Sequence, residues 1–102
     1  MSKYEKDGYM QELKSWAHFF DAIVKGDKKH DLRSLKDRKF YVGEIIRLRK
    51  YDNIRGEYTG HYIDVKITYM TSRYLPCAYS SAVLDKDYAI LSIEPVSEVV
   101  KE

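Results

Sequence analysis

The segment HYIDVKITYM, residues 61–70, gives the clearest indication of the fold. Every second position carries a large apolar or aromatic side chain, namely Ile63, Val65, Ile67 and Tyr69. The positions between them are mostly polar. A period of two residues is typical of a β-strand that buries one face. The sequence therefore predicts a strand over residues 61–70.

Further strands are predicted on both sides of this segment. In residues 44–51, Ile45, Ile46 and Leu48 interleave with basic residues, which indicates a half-buried strand. Residues 52–60 are rich in turn-forming side chains and connect it to the strand at 61–70. Residues 88–93, YAILSI, predict a final buried strand that Pro95 stops. One more strand is predicted at residues 10–14, where the alternation is less regular.

Residues 16–25 carry the spacing of a helix. The apolar side chains fall three and four residues apart on one stripe: Trp16, Phe19, Phe20, Ile23 and Val24. Gly26 is expected to end the helix in a left-handed conformation, and Ser15 to cap its start. Trp16 is expected to anchor the helix in the core, with stacking on a ligand as the alternative.

The order of the elements is strand, helix, short strand, strand, strand, loop, strand. One helix and about five antiparallel strands predict an α+β protein, a small barrel with the helix packed on it. We expect a flexible N-terminal tail at residues 1–9, a single domain at 10–95, and a tail or short helix at 96–102.

The composition is that of a soluble globular protein. The chain has 102 residues, of which 44% are hydrophobic and 33% charged, so one core is expected and disorder is excluded. Its single cysteine, Cys77, excludes an intramolecular disulfide. No apolar run approaches the roughly 18 residues of a membrane span, and the first residues lack a signal-peptide pattern. We therefore expect a reduced, cytoplasmic protein without a membrane partner, and a monomer.

Charge is distributed unevenly along the chain. The net charge of the chain is only +2, but residues 25–50 contain ten basic and four acidic residues, a local net charge of +6. A basic surface of this kind attracts phosphate backbones through counterion release. The alternative is that these side chains form an ordinary solvated face.

The segment GDKKHDLR, residues 26–33, directly follows the predicted helix. It resembles the Gly-x-Lys-x-x-Glu-x-Arg signature of the ASCH family, in the PUA-like superfamily. Gly26, Lys28 and Arg33 match the signature, and Asp31 stands in place of the usual Glu. The resemblance covers about residues 10–94 and includes VGE at 42–44, YTG at 58–60 and the final strand. The branch of the family that the chain resembles is small and is common in phage and prophage genomes.

The resemblance implies a pseudo-barrel of five or six mostly antiparallel strands with one main helix. In that superfamily a cleft beside the helix meets RNA or modified bases, and the signature lines it. The resemblance therefore implies a module that binds RNA or a modified nucleotide and needs no cofactor. In an extended segment Asp31 and Arg33 point to the same side, so Asp31 can orient the guanidinium toward a phosphate or base edge. The alternative is a surface ion pair without a further role.

The same resemblance implies an enzymatic alternative. Some ASCH proteins remove the acetyl group from N4-acetylcytidine with a Lys, a Thr and a Glu. The catalytic candidates here would be Lys28 and Asp31, but Asp31 occupies the position of that Thr, and no residue matches the distant Glu. We therefore favour binding over hydrolysis. No metal site is expected, because the three histidines have no ligand spacing.

The long connection at residues 71–87 supplies further candidates. Arg73, Tyr74 and Tyr79 offer stacking and cation contacts to a base, or else they cover the barrel end. The expected nucleic-acid-binding residues are Lys28, Lys29, Asp31, Arg33, Arg38, Lys39, Arg73 and Tyr74. A third hypothesis is a phage accessory protein that acts through a protein partner, because a hairpin is expected to expose Tyr51, Tyr58 and Tyr62.

Overall fold

A computed structural model describes residues 10–102 of the chain. The expected N-terminal tail, residues 1–9, lies outside this part. The elements are strand β1 (Glu12–Trp16), helix α1 (Ala17–Lys25), β2 (His30–Ser34), β3 (Ile45–Asp52), β4 (Glu57–Thr71), the short helix α2 (Ser80–Val83), β5 (Tyr88–Pro95) and β6 (Val100–Lys101). The α+β class with one main helix is thus confirmed.

The strands form a single mixed sheet that curls into a half-barrel. Its order is β1-β3-β4-β5-β2, and β6 pairs with β4 beside this path. Only β1 and β3 are parallel among the named strands, so the sheet is mostly antiparallel, as predicted. The chain passes through α1 and β2 between these two strands, which provides the long crossover that parallel pairing requires.

The core lies on the concave side of the sheet, under α1. The face predicted for the strand at 61–70 is buried at Ile63, Val65 and Ile67. Tyr69 departs from this face, because the pairing of β4 with β5 shifts register between Ile67 and Tyr69. Such a bulge interrupts the alternation of side chains, and the expectation that Tyr69 lies on the buried face was wrong.

The start of α1 also differs from the prediction. Ser15 is a buried residue of β1 and does not cap the helix, because β1 runs directly into α1 at Trp16. Trp16 is 50% exposed, so the expectation that it anchors the core was wrong. Of the predicted apolar stripe, Phe20 and Ile23 are buried in the core. Gly26 ends the helix with φ of +86°, as predicted.

The segment after Pro95 contains a strand, where a tail or short helix was expected. Lys101 and Val100 of β6 pair with His61 and Tyr62 of β4. This pairing covers part of the exposed edge of β4. Within residues 10–102, neither helix has the length and apolar character to cross a membrane.

Asp52 stabilises the turn between β3 and β4. Its carboxylate accepts hydrogen bonds from the backbone N–H groups of Ile54 and Arg55, each at 3.0 Å. Mainly through the hydrogen bond from Arg55, the pKa of Asp52 lies below its ordinary value of 3.8. A lowered pKa stabilises the folded state at pH above the unfolded-state pKa, and this contribution is lost as pH falls through the folded-state pKa.

We therefore expect Asp52→Asn to lower the free energy of unfolding at neutral pH and to have a smaller effect in acid. Urea denaturation of both proteins across this pH range measures the difference. A destabilisation that stays constant down to the acid limit would contradict the role of the charged carboxylate.

Candidate nucleic-acid interface

The connection between β2 and β3, residues 35–44, is held at both ends and presents basic side chains between them. Leu35 donates its backbone N–H to the carbonyl of Asp87 at 2.7 Å, and Phe40 is buried in the core. Lys36, Arg38 and Lys39, which lie between these two anchors, are exposed. The connection therefore displays its cations from a fixed backbone.

A cavity of about 620 Å³ lies between this connection, the end of β4 and the loop before β5. We call it the basic cleft. Five basic residues line it: Lys36, Arg38, Lys39, Arg73 and Lys86. The acidic residue on its wall is Asp87, and Tyr41 and Tyr74 add aromatic rings. Leu35, Phe40 and Met70 provide an apolar part of the lining. The cleft thus combines strong positive charge with apolar and aromatic surface.

Ion pairing distinguishes the arginines of the basic cleft from the others. Each of the four remaining arginines contacts a carboxylate: Arg33, Arg47, Arg49 and Arg55. Within residues 10–102, Arg38 and Arg73 form no salt bridge. Arg38 Nη1 instead lies 3.4 Å from Gln11 Oε1, and the Arg73 guanidinium lies 4.7 Å from the centre of the Tyr74 ring. Guanidinium groups that no carboxylate neutralises are available to an anionic ligand.

Gln11 and Glu44 fix the backbone beneath the cleft. Gln11 Nε2 donates to the carbonyl of Lys39 at 2.8 Å and to Glu44 Oε2 at 2.6 Å. Glu44 Oε1 accepts the backbone N–H of Tyr41 at 3.0 Å. Glu44 is only 7% exposed, so water cannot replace these contacts freely. The network holds the Lys39–Tyr41 backbone in place.

We expect Glu44→Leu to destabilise the protein by about 1–3 kcal/mol, because it leaves the donors of Gln11 and Tyr41 without their acceptor. Urea denaturation gives the change in the free energy of unfolding. Glu98→Leu, which changes an exposed glutamate, serves as the matched control and is expected to have little effect. Equal destabilisation by the two substitutions would show that the buried network contributes nothing.

A second cavity of about 230 Å³ shares Arg38 with the basic cleft. Arg33 also lines it, and its guanidinium is held from two sides. Nε donates to Asp31 Oδ2 at 2.7 Å, and Nη2 donates to the carbonyl of Lys14 at 2.8 Å. The predicted contact between Asp31 and Arg33 is therefore confirmed, and it fixes the orientation of the guanidinium.

The structure separates the remaining candidate residues from these cavities. Lys28 and Lys29 line neither of the two. Lys28 Nζ lies 3.3 Å from His30 Nε2 and 5.5 Å from the centre of the Phe19 ring. Within residues 10–102, no hydrogen bond or ion pair joins Lys28 to Asp31. In the same part of the chain, no three His, Cys, Asp or Glu side chains are grouped so that they could hold a metal ion.

The basic cleft therefore gathers four of the eight predicted binding residues: Arg38, Lys39, Arg73 and Tyr74. Sequence reasoning did not select Lys36 and Lys86 as binding residues. Lys36 belongs to the basic segment, which was a usable signal. No signal in the sequence pointed to Lys86, because only the fold brings the loop before β5 beside residues 35–41.

Comparison with known proteins identifies relatives of the chain. A family model for a domain of unknown function, DUF3850, matches residues 10–93. A curated relative, described as "Uncharacterized 12.9 kDa protein in GpA 3'region" of Escherichia phage P2, is 31% identical over 62 residues. This alignment covers 61% of the chain and 54% of the relative, so the chain matches about half the length of that protein. The relative supports the expected association with phages. Because the family model spans most of the sequence, the chain belongs to the DUF3850 family.

Proposed function

We propose that the chain is a nucleic-acid-binding module that takes RNA, or a modified nucleotide, in the basic cleft. The observation that carries the proposal is the set of five cations on one cavity, none of which forms a salt bridge within residues 10–102. Lysine and arginine side chains without an ion-pair partner can neutralise phosphates. The counterions that the nucleic acid then releases drive the association. The other arginines of the chain are already occupied by carboxylates.

The cleft also has features suited to a base. Its volume of about 620 Å³ lies in the range of roughly 300–1,000 Å³ that is usual for small-ligand sites. The Tyr74 ring, with the Arg73 guanidinium over it, offers a stacking surface at the cleft wall. Apolar side chains of Phe40 and Met70 can exclude water from a bound base. A charged rim and an apolar wall together suit a nucleotide better than inorganic phosphate.

The proposal includes a relationship between this family and the ASCH proteins of the PUA-like superfamily. It is supported by the half-barrel with one main helix, by the left-handed end of α1 at Gly26, and by the oriented Asp31–Arg33 pair. Hydrolysis of an acylated cytidine receives no such support, because Lys28 lies against His30 and not against Asp31. We therefore keep binding as the proposed function.

A binding panel tests the proposal. It comprises single- and double-stranded RNA and DNA of mixed sequence and free modified nucleosides, each measured at several salt concentrations. Single-stranded RNA is expected to bind with an affinity that falls as salt rises. If all five cleft cations contacted phosphates, the slope of log K against log salt would be about −3.5, at roughly 0.7 per contact, and fewer contacts give a shallower slope. Absence of binding to every member of the panel would refute the proposal.

A further inference from the structure

A row of four aromatic side chains lies on a different part of the surface, where Trp16, Phe19 and Tyr58 are exposed and Tyr51 is half-buried. Trp16 and Phe19 are stacked, with ring centres 6.4 Å apart and planes 15° apart. Trp16 is the register neighbour of Tyr51 on the adjacent strand, and the Tyr51 and Tyr58 rings meet edge to face at 5.1 Å. We call Phe19, Trp16, Tyr51 and Tyr58 the aromatic row. It crosses from α1 over β1 and β3 to β4.

Two lysines, Lys14 and Lys28, accompany the row. Lys14 Nζ lies 4.1 Å from the centre of the Tyr51 ring and 5.9 Å from that of Tyr58. Lys28 Nζ lies 5.5 Å from the Phe19 ring. Within residues 10–102 neither lysine forms a salt bridge. Exposed aromatic faces with cations beside them are the surface on which proteins stack the bases of single strands while they contact the phosphates.

The acidic residues near the row do not reverse its charge. Glu12 and Glu102 both pair with Arg49, and Asp21 pairs with Lys50 at 2.9 Å. These carboxylates are therefore already neutralised by their own partners. Asp52, next to Tyr51, is bound to the backbone N–H groups of its own turn. Lys14 and Lys28 add positive charge beside the aromatic rings, which is complementary to a polyanion.

The aromatic row is continuous with the basic cleft through shared residues. Lys14 stands over Tyr51 and also lines the second cavity. Arg38 lines that cavity and the basic cleft. These shared residues connect the aromatic row with the basic cleft through the second cavity, which Arg33 and Asp37 also line. Such an extended track exceeds what a single nucleotide can cover.

We infer that the ligand is a single-stranded nucleic acid several nucleotides long, whose bases stack on the aromatic row while its phosphates occupy the basic cleft. This inference rests on the proposed function, since it extends the same site. The expected ligand is a flexible single strand. A free nucleoside is too short to reach both surfaces, and the bases of a duplex are paired and cannot stack on protein side chains.

Trp16 provides a direct test, because it is the only tryptophan of the chain and belongs to the row. We would titrate the full chain with labelled single-stranded RNA, following total binding by anisotropy of the label and stacking by quenching of tryptophan fluorescence. One RNA has about ten nucleotides, which lies within the roughly 4–16 nucleotides that single-strand-binding domains cover. The other RNA has two or three nucleotides. Only the longer strand is expected to bind tightly and quench Trp16.

Substitution of the row separates its contribution from that of the cleft. Tyr58→Leu is expected to weaken binding of the longer strand roughly 5- to 150-fold, the range of one lost stacked base, and to leave binding of the short strand unaffected. Tyr69→Leu is the matched control, because Tyr69 lies on the same strand β4 and is 52% exposed, against 49% for Tyr58. Tyr69 belongs neither to the aromatic row nor to the cleft lining, so its loss should change neither affinity.

The outcomes distinguish the inference from the proposed function. If both strands bind equally, with no quenching and no effect of Tyr58→Leu, the extended track is wrong and the cleft remains a nucleotide site. Such a result would leave the aromatic row as a surface for a protein partner. If no oligonucleotide binds at all, the inference fails, and the proposed function fails with it when the free modified nucleosides of the panel also do not bind.

Discussion

Arg38→Gln combined with Arg73→Gln is expected to weaken binding of single-stranded RNA roughly 100-fold at low salt. Each charge-assisted hydrogen bond contributes about 1.5 kcal/mol or more, and the two losses add when both arginines contact phosphate. The slope of log K against log salt should become shallower by roughly 0.7 for each lost contact. Anisotropy titrations at several salt concentrations measure both quantities.

The double substitution should leave the fold intact. Both side chains are exposed and form no salt bridge within residues 10–102, and such surface changes usually alter stability by about 0.5 kcal/mol or less. The matched control is Lys25→Gln with Arg55→Gln, which removes the same charge from exposed, ion-paired positions outside the cleft. An equal loss of affinity in both double variants would show that binding follows net charge and not the cleft.

Phe20→Ala is expected to lower the free energy of unfolding by about 3–5 kcal/mol. The ring is 2% exposed and belongs to the core that α1 forms with the concave face of the sheet. Its removal exchanges a buried aromatic side chain for a cavity that the rigid sheet cannot fill. Because a domain of this kind is stable by only about 5–15 kcal/mol in total, the loss is a large fraction. Urea denaturation followed by circular dichroism measures it.

Phe19 supplies the matched control for this substitution. It is the preceding residue on the same helix and is 46% exposed. Phe19→Ala should therefore change stability far less than Phe20→Ala, while it removes one ring of the aromatic row. Similar destabilisation by the two substitutions would contradict the orientation of α1 against the sheet.

Regular periodicity allowed most of the fold to be predicted. The alternation at Ile63, Val65 and Ile67 identified β4, and Gly26 correctly ended α1. Prediction was wrong where tertiary pairing overrides local pattern. Ser15 and Trp16 belong to β1 and not to the helix or its cap, because hydrogen bonding to β3 extends the strand up to the residue directly before the helix. That pairing places Trp16 at the surface, although its spacing in the apolar stripe is that of a core residue.

The candidate site was predictable only in its local parts. Asp31 and Arg33 are two residues apart on a strand, so their contact follows from the sequence. Arg38 and Lys39 belong to a basic segment that composition reveals. The meeting of these residues with Arg73 and Lys86 depends on contacts between segments far apart in the chain, such as the Leu35–Asp87 hydrogen bond. No periodicity in a single sequence encodes such a contact.

The most direct test that the basic cleft binds nucleic acid is to follow the backbone amide resonances by NMR during a titration with single-stranded RNA. We predict that the amides of residues 35–41, 72–74 and 86–87 shift together and saturate at the same RNA concentration, because these segments enclose one cavity. Residues 96–98, which lie outside the cleft lining, should not shift. Shifts that are absent from the cleft, or that spread evenly over the basic surface without saturation, would contradict the proposed site.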